Sequence, residues 1–297
     1  MDDPTHANGS PDERLAVRKT HKLYIAGAFP RSESGRSYPV VGADGSPRAW
    51  AASASRKDAR DAVKAARSAV HGWAGATAYN RGQILYRVAE IIEGRGAQFV
   101  AELAALGNVD SDGEVATAID RLVYYAGWAD KIAVVGGSAN PVAGPYFNFT
   151  VPEPTGVVAI VAPERPALLG LVSILAPALA AGNTSVVVAP GSAALVAVAF
   201  AECLATSDVP NGVVNILTGD PAELAPVLAA HGDVDAIDVT GLAPSIAAEC
   251  ERLAAADIKR VVRSVGGEPV WESATAQHAQ AVLATMELKT VWHPKAP

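Results

Sequence analysis

Apolar and polar positions along the chain fall into two textures, with the change at Thr155. In the first, residues 22–25 and 37–41 carry β-branched and aromatic side chains bounded by Gly27, Gly35 and Gly42, which predicts short antiparallel strands. Ser55 with Asp58, and Asn80 with Gln83, have the spacing of N-cap pairs, in which a side chain accepts from an orphan backbone N–H. In the helix opened by the second pair, Ile84, Leu85, Val88, Ile91 and Ile92 recur at i, i+3, i+4 and i+7, which buries one stripe. A further helix is expected over 111–133, carrying Leu122, Tyr125 and Trp128 inward. Residues 146–152 alternate aromatic and polar side chains as an exposed hairpin strand does.

Beyond Thr155, continuous apolar runs of strand length alternate with Ala-rich stretches of helix length. Strands are expected at 156–161, 185–188, 213–217, 236–239 and 260–262, and helices at 168–181, 193–206, 222–230 and 244–255. Strands buried on both faces lose their polar alternation, and short βα connections imply right-handed crossovers. The fold class is therefore α/β, a doubly wound parallel sheet behind an N-terminal region of helices and strands. Such sheets bind ligands where strand order reverses, so a site is expected in the loops after Val161, Val188, Leu217 and Val239.

Composition narrows the function classes. Of 297 residues 50% are hydrophobic and 19% charged, enough for a substantial core. A net charge of -7 provides no basic footprint, so neither nucleic acid nor an anionic membrane is an expected partner. The apolar stretch 168–181 is interrupted by Ser173 and Pro177 and is shorter than the ~20 residues a bilayer needs, which makes it a buried helix. The acidic, polar start of the chain predicts a flexible leader over 1–20 and no secretory signal, hence a cytoplasmic protein. Cys203 and Cys250 are too few for a disulfide scaffold or a structural zinc site. Both fall in helix patterns without a neighbouring His, so a buried thiol is expected rather than a nucleophile. His6, His21, His71, His231, His278 and His293 show no paired metal spacing and are expected in solvent. Gly266-Gly267 reads as a turn before it reads as a phosphate cradle.

Several phrases resemble the aldehyde dehydrogenase superfamily. They are Ser34-Gly-Arg-Ser-Tyr-Pro-Val40, Tyr124-Tyr-Ala-Gly-Trp-Ala-Asp130, Glu153-Pro-Thr-Gly-Val-Val158, Leu175-Ala-Pro-Ala-Leu-Ala-Ala-Gly-Asn-Thr184 and Pro210-Asn-Gly-Val-Val-Asn-Ile-Leu-Thr-Gly219. The resemblance implies a Rossmann-like domain that holds NAD(P), a second domain with a nucleophilic Cys, and a strand arm that joins subunits. It covers the chain from Leu23 to Pro294.

Position by position, the chain departs from the family's chemistry. In the loop Pro163-Glu-Arg-Pro166 the oxyanion-binding Asn position falls on Arg165, and the ribose-binding Lys position on Ala189, with Gly191 or Ser192 where its Glu partner stands. The pyrophosphate Ser follows Gly241 as Leu242, and the small residue further on is Ile246. Leucine cannot hydrogen-bond phosphate, and a β-branched residue blocks close backbone approach. The general-base Glu position is Ser264, whose hydroxyl takes no proton near neutral pH. No nucleophilic Cys follows. Met286-Glu-Leu-Lys-Thr-Val-Trp292 instead resembles the family's last strand, with Leu288, Thr290, Val291 and Trp292 as oligomerisation residues.

The expected organisation is thus a leader over 1–20, a degenerate nucleotide-binding-type domain over 21–268 with 146–153 in an oligomerisation hairpin, and a linker and C-terminal strand over 269–297, the catalytic domain being absent. The resemblance with these departures implies a non-catalytic assembly or regulatory subunit, resembling the second copy in two-copy aldehyde dehydrogenases and forming homo-oligomers or hetero-oligomers with a full-length enzyme. No cofactor and no metal is expected. NAD(P) is the cofactor of the alternative, an oxidoreductase-family protein or ligand-binding module that keeps a nucleotide cleft.

Overall fold

The computed structural model describes residues 17–264 and 269–295. Strand β1 (Thr20–His21) runs parallel to β3 (Pro47–Ala52), and β2 (Ser37–Val41) pairs antiparallel with β3 around a turn closed by Gly42 N–H to the Ser46 carbonyl. This corrects the expected pairing of 22–25 with 37–41. Tyr24 instead exchanges both backbone hydrogen bonds with Ile216, and Leu23 and Tyr24 are buried. The true partner of β2, Pro-Arg-Ala-Trp-Ala-Ala, has no β-branched residue and carries little strand signal. Strand pairing also reaches Thr20, inside the expected leader, of which residues 1–16 lie outside the described residues.

Helix α1 (Arg56–Gly75) opens on the expected capping box: the Ser55 hydroxyl accepts from Asp58 N, and the Asp58 carboxylate accepts from Ser55 N. Helix α2 (Ala78–Gly94) starts on Thr77, whose hydroxyl accepts from Asn80 N, so Asn80 lies in the first turn and is not the cap. Its stripe of Ile84, Leu85, Val88 and Ile92 is buried as expected. Helix α3 (Gly96–Ala105) follows, unmarked by any cap motif. Helix α4 (Ser111–Trp128) ends earlier than expected, and a short α5 (Ile132–Gly136) takes up the remainder. Strands β4 (Ser138–Asn140) and β5 (Tyr146–Pro154) form an antiparallel pair.

The second texture folds as read: β6 (Val157–Val161), α6 (Ala167–Ala181), β7 (Thr184–Pro190), α7 (Ala194–Thr206), β8 (Val214–Gly219), α8 (Pro221–Ala229), β9 (Ala236–Asp238), α9 (Pro244–Ala254) and β10 (Arg260–Val262). All pairings are parallel, in the order β10-β9-β6-β7-β8. Strand order reverses between β6 and β9, as in a doubly wound nucleotide-binding sheet. The side chains alternate between two cores. Val158, Ile160, Val187 and Ala236 pack with α2, α4, α6 and α7, whereas Val157, Val161, Val186 and Ile237 pack with α1, α8 and α9.

The stretch after β10 was expected to be a linker, but it is packed. Trp271 and Val282, the latter in α10 (Ala279–Leu283), join the core on the α4–α6 face. The anchor is Arg121 of α4, which is 1% exposed. Its guanidinium donates to the Trp271 carbonyl at 2.8 Å, the Gln277 side chain at 3.1 Å and the Ser173 hydroxyl at 2.7 Å, with longer contacts to the Ser273 and Ala276 carbonyls. No ion pair to Arg121 occurs among the described residues, and burial pulls its pKa down. Beyond it, Thr285 receives hydrogen bonds from Thr155 N and the Asn183 amide, which delivers β11 (Met286–Pro294) antiparallel to β5 from Met286↔Pro154 to Pro294↔Tyr146.

Removing a buried guanidinium strands several acceptors at once. Arg121→Ala is expected to cost roughly 3–5 kcal/mol in urea denaturation, with a red shift of tryptophan emission as Trp271 becomes wet.

Candidate functional site

The carboxyl ends of the sheet strands converge on the loop Glu164–Pro166, and three concavities open around it. One of about 590 Å³ lies at the switch point, lined by Tyr38, Gly191, Asp220, Gly241, Leu242 and Ile246. A second, of about 840 Å³, runs from Arg165 past Leu242 to Ser264. The third, of about 660 Å³, lies on the other side of the loop, between β2, the α3–α4 connection and Trp271. Glu164 lines all three, and Arg165 the last two.

The first concavity gathers five of the residues singled out in the sequence: Gly191, Ser192, Gly241, Leu242 and Ile246. Ala189 is not among its lining residues; it is buried within β7. Gly241 is required where it stands, because a Cβ there would lie 2.3 Å from the Val161 carbonyl oxygen as the loop after β9 crosses the end of β6. Leu242 and Ile246 pack against the core of the α1–α8–α9 face. Gly191 lies under the Tyr38 ring, 3.2 Å from the position of an added Cβ. Gly266 and Gly267 lie outside the described residues.

These residues do not fit a dinucleotide. The concavity is lined by the carboxylates of Glu164 and Asp220 and by no Lys or Arg among the described residues. Helix α9 begins with Pro244, which has no N–H, and Ile246 N–H is spent on the Ala243 carbonyl, so its N-terminus offers a weakened anion site. The N-terminus of α6, at the same end of the sheet, is already filled. The Glu114 carboxylate of α4 accepts from Leu168 N at 2.7 Å and Leu169 N at 3.1 Å, and also from the Asn108 amide. Burial pushes its pKa up, against those hydrogen bonds, and the neighbouring charge of Glu272 adds to the rise.

Arg165 is exposed, and its guanidinium donates to the Leu106 carbonyl at 2.9 Å. Leu106 is the C-cap of α3, and a cation there complements the exposed carbonyls of the last turn. Arg165 thus ties an exposed loop to a helix end. Cys203 and Cys250 are buried, and burial pushes each thiol up to about 11, opposite to what a nucleophile needs. His21 departs from the solvated role: it is half-buried, and burial lowers its pKa. Among the described residues no group of three or more His, Cys, Asp or Glu is arranged to hold a metal.

Asp238 was missed in the sequence. A charged residue within the apolar run Ala236-Ile-Asp-Val239 was the available signal. Its carboxylate, buried at the end of β9, accepts from Thr240 N at 2.9 Å, and burial pushes it up to about 6. A carboxyl with a raised folded pKa holds its proton more tightly when folded. Its contribution is therefore complete below the ordinary aspartate range and is lost as pH rises through about 6. Asp238→Asn, which keeps an acceptor for Thr240, is expected to stabilise the fold by about 2 kcal/mol near pH 8 and to change little near pH 4, as read from urea melts.

Residues 31–287 match the aldehyde dehydrogenase family model. The chain is 34% identical over 263 residues to a putative aldehyde dehydrogenase of Bacillus subtilis, covering 85% of this chain and 52% of that protein. It is 34% identical over 276 residues to chicken (Gallus gallus) retinal dehydrogenase 2, covering 89% and 52%. It superposes on an NAD+ complex of a Bacillus cereus aldehyde dehydrogenase with a TM-score of 0.77 at 28% identity, covering 84% of this chain and 51% of that one. The chain thus spans about half the length of these relatives. Across that span it belongs to the aldehyde dehydrogenase family.

Proposed function

We propose that this chain is a non-catalytic member of the family that serves as an assembly or regulatory subunit, associating with its own copies or with a full-length aldehyde dehydrogenase through β11. The observation that carries the reading is the arm itself. Strand β11 is the outer edge of the sheet β11-β5-β4, so one row of its backbone N–H and C=O groups is unpaired. Leu288 and Trp292, each 59% exposed, point to one face of that sheet with Tyr146, whose ring meets Trp292 edge-on at 5.8 Å. Val291 points to the other, beside exposed Phe147 and Val151. Thr290 sits between them, its hydroxyl 3.0 Å from that of Thr150 across the pair. An apolar edge of this kind favours strand addition by a partner.

The chemistry of the site supports the non-catalytic half of the reading. Arg165 is committed to a helix end, Ser264 stands where the family's general base is expected, and both thiols are buried. The relatives bear the names of dehydrogenases, and these positions are where this chain parts from them. The purified protein is expected to give no aldehyde-dependent reduction of NAD or NADP; turnover that tracks this chain through purification overturns the reading.

A second reading, retention of a nucleotide in the cleft at the switch point, is favoured by the concavity of about 590 Å³ there. Calorimetric titration separates the two, with no heat expected from NAD, NADP or CoA at millimolar concentration. For the arm, Val291→Lys with Trp292→Lys is expected to weaken association about tenfold or more in sedimentation velocity, run with and without a full-length family member. A wild-type chain that stays monomeric and binds no such enzyme sinks the subunit role.

A further inference from the structure

The cavity of about 660 Å³ beyond the Glu164–Pro166 loop has no part in the subunit reading, and its size suits a small ligand. Its walls are apolar, formed by Val41, Leu103, Leu106, Ala167 and the buried Trp271. The Trp271 indole N–H has no hydrogen-bond partner. The polar groups around these walls are strongly biased in sign. Asp110, Glu114, Glu164 and Glu272 face a single cation, Arg165, and that guanidinium is engaged by the Leu106 carbonyl.

The two features that would otherwise draw an anion are both occupied. The N-terminus of α6 opens at Ala167 in the cavity wall, but its Leu168 and Leu169 N–H groups are held by Glu114. Glu114 is therefore spent. The Glu164 and Glu272 side chains are exposed and make no hydrogen bond or ion pair among the described residues, while Asp110 uses one oxygen to cap Gly113 N. Three carboxylates thus stand at the cavity with capacity for a donor, above an apolar interior.

From this combination of a half-open cleft with apolar walls, a filled helix terminus and uncompensated carboxylates, we infer that the cavity binds a small organic cation: an ammonium group at the carboxylates with an apolar body against the walls. An ammonium placed among Glu164, Glu272 and Asp110 adds an ion pair to its hydrogen bonds, which a neutral isostere lacks and an anionic one turns into repulsion. The apolar body displaces water from Leu103, Leu106 and Trp271.

Titration calorimetry with 2-phenylethylamine, 2-phenylethanol and 3-phenylpropionate tests the site. The amine is expected to bind about tenfold more tightly than the alcohol at low salt, with the difference shrinking at high salt, and the carboxylate is expected not to bind. Two variants on exposed positions keep the test independent of folding, which circular dichroism checks. Ala43→Trp at the mouth removes binding of both amine and alcohol. Glu164→Gln with Glu272→Gln removes the preference for the amine and leaves the alcohol unchanged. Equal affinity for amine and alcohol, a preference for the carboxylate, an amine affinity indifferent to the Gln pair, or no heat from any of the three overturns the proposal.

Discussion

The segment that follows β10 depends on one buried guanidinium. A charged group in the core is tolerated only when its donors are met, and Arg121 meets acceptors from two directions: the Ser173 hydroxyl on α6 and the carbonyls and side-chain amide of residues 271–277. Those carbonyls belong to an irregular stretch that makes few backbone hydrogen bonds of its own. An irregular stretch can enter the core only if something there supplies donors. Trp271 is thereby set in a cavity wall, and α10 is laid against α6. Thr285 is placed where Thr155 N and Asn183 fix the register of β11. The exposed arm and the cavity beside Trp271 are both downstream of the same contact.

The parallel sheet keeps the geometry of a nucleotide-binding fold while the electrostatics at its carboxyl end are reversed. Of the helix N-termini at this end, that of α6 is closed by Glu114, that of α8 is capped by the Asp220 carboxylate, and that of α9 is weakened by Pro244. The first concavity is lined by carboxylates, Arg165 beside it is turned to a helix C-terminus, and Arg263 in the adjoining concavity is paired with Glu251. A diphosphate entering here would meet repulsion from Glu164 and Asp220 without compensation from any basic group among the described lining residues. Strand order alone therefore says where a ligand could sit but does not set its charge.

The sheet was legible because its signal is local and repeated. Apolar runs such as 157–161 and 184–190 have no polar alternation, and short turns separate them from Ala-rich helices. The Ser55 capping box was legible for the same reason, since both partners lie within one turn. What escaped was set by tertiary context. Strand β3 is built from Ala, Pro, Arg and Trp and is held by pairing on both sides rather than by propensity. Arg121 looks like any polar residue of an amphipathic helix until the segment that covers it is known. At the site, the residues at 165, 189, 242, 246 and 264 could be read from the chain as departures from the pattern that the family resemblance implies. Their new roles could not, because Arg165 acts on Leu106, a residue far from it in sequence.

Those new roles explain why single reversions would not rebuild the family's site. Leu242 and Ile246 are not merely absent ligands. Their partly buried side chains pack against the core of the α1–α8–α9 face, so a serine at 242 would regain a hydroxyl while giving up apolar packing. It would still lie beside a helix whose first residue lacks an N–H and whose Ile246 N–H is spent on Ala243. It would face the Glu164 carboxylate as well. Each substitution has been absorbed by its neighbours, through packing at 242 and 246, through a helix C-cap at 165 and through burial at 189. These contacts are separate from one another, so restoring a single side chain leaves the others as they are.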